Sequence, residues 1–229
     1  MAAGGWHAAV EFEVRVAGEP DATTGYLIGI DRIDAEMRTL LQAELPRGFL
    51  ASTDPATLLA ALIGPLAQRI GIAVRSITWR PHPFVEMTVE ANLQGSFVLT
   101  QRFDFAASHR LHCASLSDES NRRIFGKCNN PAGHGHNYRL EVEIRAPIAD
   151  PPPLRATEAE RIVREHAVDR LDHRHLNSDV AEFRDRNPSV EAIARTCYEW
   201  LRQPLTAAGA ELVRVRLWET DKTSAIYPG

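Results

Sequence analysis

Alternating apolar and charged residues occur twice along the chain, with the same charges in the same order. The first copy is Val10-Glu-Phe-Glu-Val-Arg-Val16 and the second is Leu140-Glu-Val-Glu-Ile-Arg-Ala146. Strict alternation predicts a β-strand with one buried face, because successive side chains point to opposite sides of a sheet. The repetition of the pattern indicates an internal duplication.

Each predicted strand is followed by two helices and then by two further strands. An apolar stripe predicts a first helix ending near Leu45, and Asp54-Pro55 is a typical helix start for the next. The corresponding helices of the second half run from about Thr157 to Leu171 and begin again at Asn187-Pro188-Ser189. The closing strands are predicted at 73–80 and 84–90, and at 212–219 and 224–227. This order predicts an α+β fold, an antiparallel sheet with two helices packed on one face.

The repeat predicts two domains, residues 1–95 and 96–229. When the copies are aligned, Gly4 and Trp6 fall where the second copy has His134 and His136, and Arg80 falls at the position of Glu219. We therefore interpret residues 1–95 as a degenerate, structural copy. The alternative is that the two halves are unrelated α+β pieces.

Composition excludes several classes of protein. The net charge of −4, with both signs interspersed, is not that of a general nucleic-acid binder. No apolar run approaches the roughly 18 residues of a membrane span, and no signal peptide is visible at the N-terminus. Three cysteines at unrelated spacings argue against a disulfide framework, so we expect a cytoplasmic protein.

Histidine is the unusual residue, because seven of nine lie between His109 and His175. His134 and His136 continue the parity of the strand that contains Tyr138, so both side chains can point to one side of the sheet. His109 ends another predicted strand and can complete a set of three. Three imidazoles with an open fourth position are typical of a catalytic zinc site, whereas a single histidine on a strand is usually an ordinary polar residue.

Four further residues have suitable chemistry for such a site. Cys128 follows Lys127 in a loop rich in glycine and asparagine, and a nearby metal and lysine would lower the pKa of its thiol and make it a base. Asp172 can orient His173 for proton transfer. Glu219, after an alternating strand, can accept the paired N–H donors of a guanidine-like edge, as in a pterin ring. Taken singly, each also fits packing or a solvated surface.

Together, four motifs resemble the 6-pyruvoyl tetrahydropterin synthase family, which includes the bacterial 6-carboxytetrahydropterin synthases. They are Phe-Ala-Ala-Ser-His-Arg-Leu, Phe-Gly-Lys-Cys-Asn-Asn-Pro-x-Gly-His-Gly-His-Asn-Tyr, Leu-Asp-His-x-x-Leu-Asn and Trp-Glu-Thr, within residues 98–229. The resemblance implies tandem T-fold units whose sheets are pooled into a barrel on oligomerisation. It implies Zn²⁺ as cofactor, bound by His109, His134 and His136. It also implies a catalytic set of Cys128, Asp172 and His173, and a pterin anchor at Glu219.

The resemblance further implies a lyase that converts 7,8-dihydroneopterin triphosphate to 6-pyruvoyl tetrahydropterin, within a homo-oligomer that holds a multiple of three T-fold units. The five residues between Cys128 and His134 are typical of the pyruvoyl branch. The alternative product is that of a 6-carboxytetrahydropterin synthase, an enzyme of queuosine biosynthesis. An alternative of another class is a non-catalytic zinc-binding scaffold, and a third is a zinc hydrolase unrelated to pterins. Lys127, Arg110 and Arg122 are basic residues with the charge to hold the triphosphate.

Overall fold

The computed structural model describes residues 11–50, 54–93 and 95–229, with side chains except those of residues 44–50. The predicted equivalents of the histidine pair, Gly4 and Trp6, lie outside the described residues. The chain divides into two compact units. The first comprises residues up to Leu99 together with Ala146–Pro153, and the second comprises Thr100–Arg145 and Leu154–Gly229.

The first unit is an antiparallel sheet with two helices. Its elements are β1 (Glu11–Ala17), α1 (Ile30–Leu50), α2 (Pro55–Ile70), β2 (Ala73–His82) and β3 (Val85–Glu90). The strands pair in the order β1-β2-β3, and α2 packs on β2 and β3. Leu59, Leu62 and Leu66 of α2 are buried at helical spacing, and this spacing produces the apolar face of the helix.

The predicted start of α2 is confirmed. Asp54 is the N-cap residue, and its carboxylate accepts a hydrogen bond from the Ala56 N–H at 3.0 Å. The predicted end of α1 near Leu45 is wrong, because the helix continues to Leu50. Helix ends depend on capping and tertiary context more than on the apolar stripe, so the pattern of apolar residues does not determine them.

The second unit repeats this arrangement with added short elements. Its strands are β4 (Ser96–His109, which begins in the first unit), β5 (His134–Pro147), β6 (Arg174–His175), β7 (Glu211–Thr220) and β8 (Thr223–Tyr227). Its helices are α3 (Asp118–Phe125), α4 (Ala156–Val163), α5 (Asp169–Leu171), α6 (Leu176–Asp179) and α7 (Val190–Ala207), with a π-helical turn at Arg164–Val168 and 3₁₀ turns at Gly126–Asn129 and Ala181–Phe183. The strand order is β4-β5-β7-β8, and β6 pairs with β4 in parallel.

The core of the second unit lies between β5, β7 and α7. Tyr138, Leu140, Val142 and Ile144 alternate along β5 and are all fully buried, as the period of two predicts. Helix α7 packs on β7 and β8, and α4 packs on α7. The predicted α+β class, an antiparallel sheet with helices, is confirmed.

The two predicted helix starts in this unit agree with the structure to within two residues, but the capping residues need to be specified. Thr157 lies inside α4, whose N-cap position is Arg155, without a capping hydrogen bond from its side chain. Helix α7 is capped by Ser189, whose hydroxyl accepts from the Ala192 N–H, and not by Asn187. The Asn187 side chain instead accepts a hydrogen bond from the His112 N–H at 2.8 Å. None of the helices in the described part of the chain combines the length and apolar character that a membrane crossing requires.

Candidate active site

Three histidines from two strands converge in the second unit. His109 is the last residue of β4, and His134 and His136 are the first and third residues of β5. One ligand-type ring nitrogen from each lies within 4.8 Å of the others, and the two Nε2 atoms of His109 and His134 are 3.1 Å apart. The strand parity that predicted this convergence is present in the structure.

The surroundings of His109 favour a neutral imidazole with a free lone pair on one ring nitrogen. Its ring is fully buried, and burial lowers its pKa to about 4, so the imidazole is neutral near pH 7. Nδ1 lies 2.7 Å from the Pro188 carbonyl oxygen and donates to it, which leaves the lone pair on Nε2. The turn before α7 therefore fixes the tautomer of a histidine on β4.

The donor set fits a divalent transition-metal cation. His134 Nδ1 and His136 Nε2 are buried polar atoms without a hydrogen-bond partner among the described residues, and such atoms are costly unless something binds them. Burial also lowers the pKa of His134, which favours the neutral, ligating form. Imidazole nitrogens are ligands that zinc, copper, iron and nickel accept.

Glu219 lies against this group. Its Oε1 is 3.4 Å from His109 Nε2 and 3.7 Å from His136 Nε2. An irregularity in the pairing of β7 with β8, between Trp218 and Thr220, occurs at this position. The sequence predicted Glu219 as a site residue, but it did not predict its contact with the histidine rings.

Tyr138 is a site residue that our sequence reasoning missed. Its hydroxyl lies 3.5 Å from both ring nitrogens of His109, and its ring is fully buried. Burial raises the pKa of the phenol, so it remains protonated. The signal was present, because Tyr138 shares the parity of His134 and His136 and ends the same motif.

Cys128 sits on the 3₁₀ turn that precedes β5 and is partly buried. Burial, followed by the negative charge of Glu219, raises the pKa of the thiol in the metal-free protein. We expected Lys127 to lower this pKa, but without a metal the pKa is raised and Lys127 is not among the causes of the shift. Desolvation disfavours the thiolate, and the charge of Glu219 disfavours it further because it is negative.

Arg110 is hydrogen-bonded to two elements of the site, the 3₁₀ turn that bears Cys128 and helix α6. Its Nε and Nη2 donate to the Asn129 carbonyl and side-chain oxygens, both at 3.2 Å. Its own backbone N–H and carbonyl are bound by the Asn177 side chain at 2.8 and 3.0 Å. Arg110 thus braces the turn that bears Cys128, and this engagement argues against its suggested role in holding a triphosphate. Asn129 and Asn177 were not singled out from the sequence, although both belong to the motifs quoted above.

Asp172 and His173 form a hydrogen-bonded pair beside β4. The Asp172 carboxylate accepts from the Ala106 N–H at 2.9 Å through Oδ1 and lies 2.9 Å from His173 Nδ1 through Oδ2. These two bonds, the Ala106 one first, lower the pKa of Asp172. His173 has a positive φ of 56° and its N–H donates to the Ala106 carbonyl, so its backbone is pinned in a left-handed conformation that non-glycine residues rarely adopt. Its ring is 83% exposed, with Nε2 left free.

A cleft of about 620 Å³ is lined by both His173 and His136, and His136 is one of the three converging histidines. Its lining includes His136, Asn137, His173, Arg174, His175 and Asp179. The parallel pairing of β6 with β4, Ala107 opposite Arg174 and Ser108 opposite His175, positions the second wall of the cleft. The structure therefore brings His136 and His173 to one concave surface.

A family model for 6-pyruvoyl tetrahydropterin synthase matches residues 98–229. The chain belongs to the 6-pyruvoyl tetrahydropterin synthase family. It is an enzyme of the lyase class. A 6-pyruvoyl tetrahydrobiopterin synthase of Poecilia reticulata is 38% identical over 134 residues, which are 57% of this chain and 89% of that protein. The range matched by the family model contains every histidine, cysteine and carboxylate discussed above for the site.

Solved structures agree with this assignment. A Caenorhabditis elegans 6-pyruvoyl tetrahydropterin synthase superposes with a TM-score of 0.54 and 32% identity, covering 58% of this chain and 96% of that one. A uricase from Arthrobacter globiformis covers 95% of this chain and 83% of its own with a TM-score of 0.50 at 8% identity. The second likeness concerns the fold alone, and it is consistent with tandem T-fold units along the chain.

Proposed function

We propose that this chain converts 7,8-dihydroneopterin triphosphate to 6-pyruvoyl tetrahydropterin with loss of triphosphate, and that its metal is zinc. The observation that supports this most directly is the shared cleft of His136 and His173 beside the group of His109, His134 and Glu219. A site with a cation-binding face, an anchoring carboxylate and a separate proton carrier suits an elimination with internal proton transfers. The three unpaired cysteines support a reducing, cytoplasmic location.

His109, His134 and His136 are the residues that would hold the zinc. When bound, zinc acts as a Lewis acid on the hydroxyl groups of the substrate side chain. Glu219 accepts hydrogen bonds from the guanidine-like edge of the pterin and so orients the ring. Tyr138 and the Pro188 carbonyl keep His109 in one position and one tautomer.

The proton transfers fall to Cys128 and His173 in this proposal. Cys128 takes a proton from the substrate side chain. The hydrogen bond from Nδ1 to Asp172 leaves Nε2 of His173 as the atom that accepts and returns protons. Asp172 stabilises the imidazolium that forms, and its lowered pKa keeps it charged while it does so.

The test is a product analysis. The full chain, loaded with zinc, is incubated with 7,8-dihydroneopterin triphosphate, and the products are identified by mass. We expect 6-pyruvoyl tetrahydropterin and one triphosphate per turnover, and the matched Asp172→Asn variant, which keeps the size of the side chain, should be slower by about 10²–10⁴-fold. A 6-carboxytetrahydropterin product would place the chain in the other branch, and no pterin product would refute the proposal.

We propose a structural role for residues 1–95. In the first unit Arg80 lies where the repeat alignment has Glu219, and its guanidinium bonds Glu11 at 2.7 Å and Glu13 at 2.6 Å. A guanidinium has N–H donors and no acceptor atom, so it cannot replace Glu219 as an acceptor of N–H donors. The pterin-anchoring function is therefore absent at this position of the first copy.

A further inference from the structure

We propose that the cleft beside His136 is a polyphosphate subsite and that Arg174 is its binding residue. The proposal rests on the function proposed above, because a triphosphate is the anionic part of that substrate. Arg174 lies on β6, directly after His173, and lines the cleft. It was not among the basic residues that the sequence suggested for this role.

The guanidinium of Arg174 is available to bind an anion. Among the described residues, no hydrogen bond or ion pair of its guanidinium is found, although its charge helps to lower the pKa of Asp179. By contrast, Arg110 is bound to Asn129, and the part of the chain that lines this cleft does not include Arg122 or Lys127. A free guanidinium presents several N–H donors in a planar fork, and this geometry matches two phosphate oxygens at once.

The carboxylates near the cleft are already satisfied. Asp179 accepts from the His175 N–H at 2.8 Å and from the Ser178 hydroxyl at 2.9 Å. Asp172 is bound by Ala106 and His173. Their negative charges are partly offset by these donors. The remaining lining residues are uncharged, and most are small: Ala106, Ala107, Ser108, Gly135 and Asn137.

The position of the cleft fits the proposed reaction. Its lining joins His136 to Arg174, so a substrate whose side chain reaches the histidine group can extend its phosphates along β6. Arg174 would bind the triphosphate before and during its departure and would not itself transfer a proton. We therefore expect its loss to affect substrate binding more than the chemical step.

A direct binding measurement tests the subsite without catalysis. The full chain, freed of metal because tripolyphosphate chelates divalent cations, is titrated with inorganic tripolyphosphate by calorimetry. We expect Arg174→Gln to weaken binding at least tenfold and Arg174→Lys to weaken it less, because lysine keeps the charge but not the fork. Arg202→Gln is the matched control, since Arg202 is an exposed arginine on α7 outside the cleft.

A kinetic measurement on the zinc-loaded chain supplies the second readout. Arg174→Gln should raise KM for 7,8-dihydroneopterin triphosphate about tenfold and change kcat less, and Arg202→Gln should change neither. Unchanged tripolyphosphate binding in Arg174→Gln, or no binding by the unaltered chain, overturns the subsite whatever the activity. If the chain binds tripolyphosphate through Arg174 but does not turn over the pterin, the subsite stands and the proposed function fails.

Discussion

His109 shows how one buried residue can be prepared for a cation by its surroundings. A fully buried imidazole is costly to charge, so its pKa falls to about 4. The Pro188 carbonyl fixes which nitrogen carries the proton, and Tyr138 limits the position of the ring. His134 faces it through Nε2 at 3.1 Å, and His136 Nε2 is a buried atom without a hydrogen-bond partner in the described chain. The local chemistry is therefore organised before any metal binds.

Replacing His134 by alanine should remove the metal. The variant loses one of only three converging imidazoles, and two ligands rarely hold zinc against solvent. Elemental analysis of the purified protein should show a drop from about one zinc per chain to near zero. His112→Ala is the control, because His112 bonds Asn129 and is not part of the convergent group. Full zinc content in His134→Ala would contradict the assignment.

Cys128→Ala should abolish turnover while zinc content stays unchanged. We assign the thiol to proton transfer, and loss of a general base typically costs 10²–10⁴-fold in rate. Activity and metal content are measured on the same preparation. Cys113→Ser serves as the control, since the Cys113 thiol contacts the Ser115 hydroxyl and its backbone N–H donates to the Asn121 side chain on α3, outside the convergent histidine group. Simultaneous loss of zinc and activity would instead identify Cys128 as a ligand.

Glu219→Gln should make Cys128 more reactive in the metal-free protein. The negative charge of Glu219 is the second cause, after burial, of the raised thiol pKa. A raised pKa means less thiolate near pH 7, and removal of the charge lowers the pKa and increases the thiolate fraction. Alkylation by iodoacetamide, followed by peptide mass spectrometry, should therefore be faster at pH 7. The rate at Cys113 should not change, and an unchanged rate at Cys128 would show that burial alone sets its pKa.

At the scale of elements, α7 links packing to the site. Its Ile193, Cys197 and Leu201 are fully buried, and the helix packs on β7 and β8. The residue that precedes its N-cap, Pro188, provides the carbonyl that orients His109. We therefore expect that loosening of the N-terminal turn of α7 would disturb the three converging histidines as well as the core.

Ser189→Ala should loosen the first turn of α7. The hydroxyl caps the Ala192 N–H at 3.3 Å, and loss of such a cap costs about 1 kcal/mol. Hydrogen exchange of the first-turn amides should accelerate about fivefold, which corresponds to that free energy. Ser189→Asp keeps an acceptor and should preserve protection. Equal exchange in the alanine variant and the unaltered chain would show that the cap does not stabilise this turn.

The main strands and long helices followed from periodicity, because their buried faces repeat every two or about four residues. The alternation of Tyr138, Leu140 and Val142 gave both the strand and the side on which His134 and His136 lie. The motifs also contained Asp172 and His173. The short elements could not be predicted in this way, because α3, α6 and the π-helical turn have fewer residues than a periodic pattern needs.

Long-range contacts explain what else was missed. The left-handed backbone of His173 is held by Ala106, a residue far away in the chain, whose carbonyl accepts from the His173 N–H and whose N–H donates to the Asp172 carboxylate. The engagement of Arg110 depends likewise on Asn129 and Asn177. The sequence shows that these residues are present. Their hydrogen bonds to Arg110 arise only when the fold brings them together.

At the scale of the whole molecule, both units are antiparallel sheets with helices, and we interpret the first as a copy without the site chemistry. In the described part of the chain, the only group of metal-type ligands that converges belongs to the second unit. In the first unit, Arg80, which the repeat alignment places opposite Glu219, is paired with Glu11 and Glu13. We therefore expect one zinc per chain and not one per unit.

The assembly should contain a multiple of three chains. The resemblance to the family implies rings that pool three T-fold units, and a chain with two units satisfies a multiple of three only when the number of chains is itself divisible by three. Strands β1 and β8 end the strand orders of their units, and sheet edges offer unpaired N–H and carbonyl groups to another chain. Native mass spectrometry of the zinc-loaded protein should give multiples of three times 25.5 kDa, with one zinc per chain. A stable dimer or tetramer, or two zinc ions per chain, would show that the first unit does not substitute for a catalytic unit in such a ring.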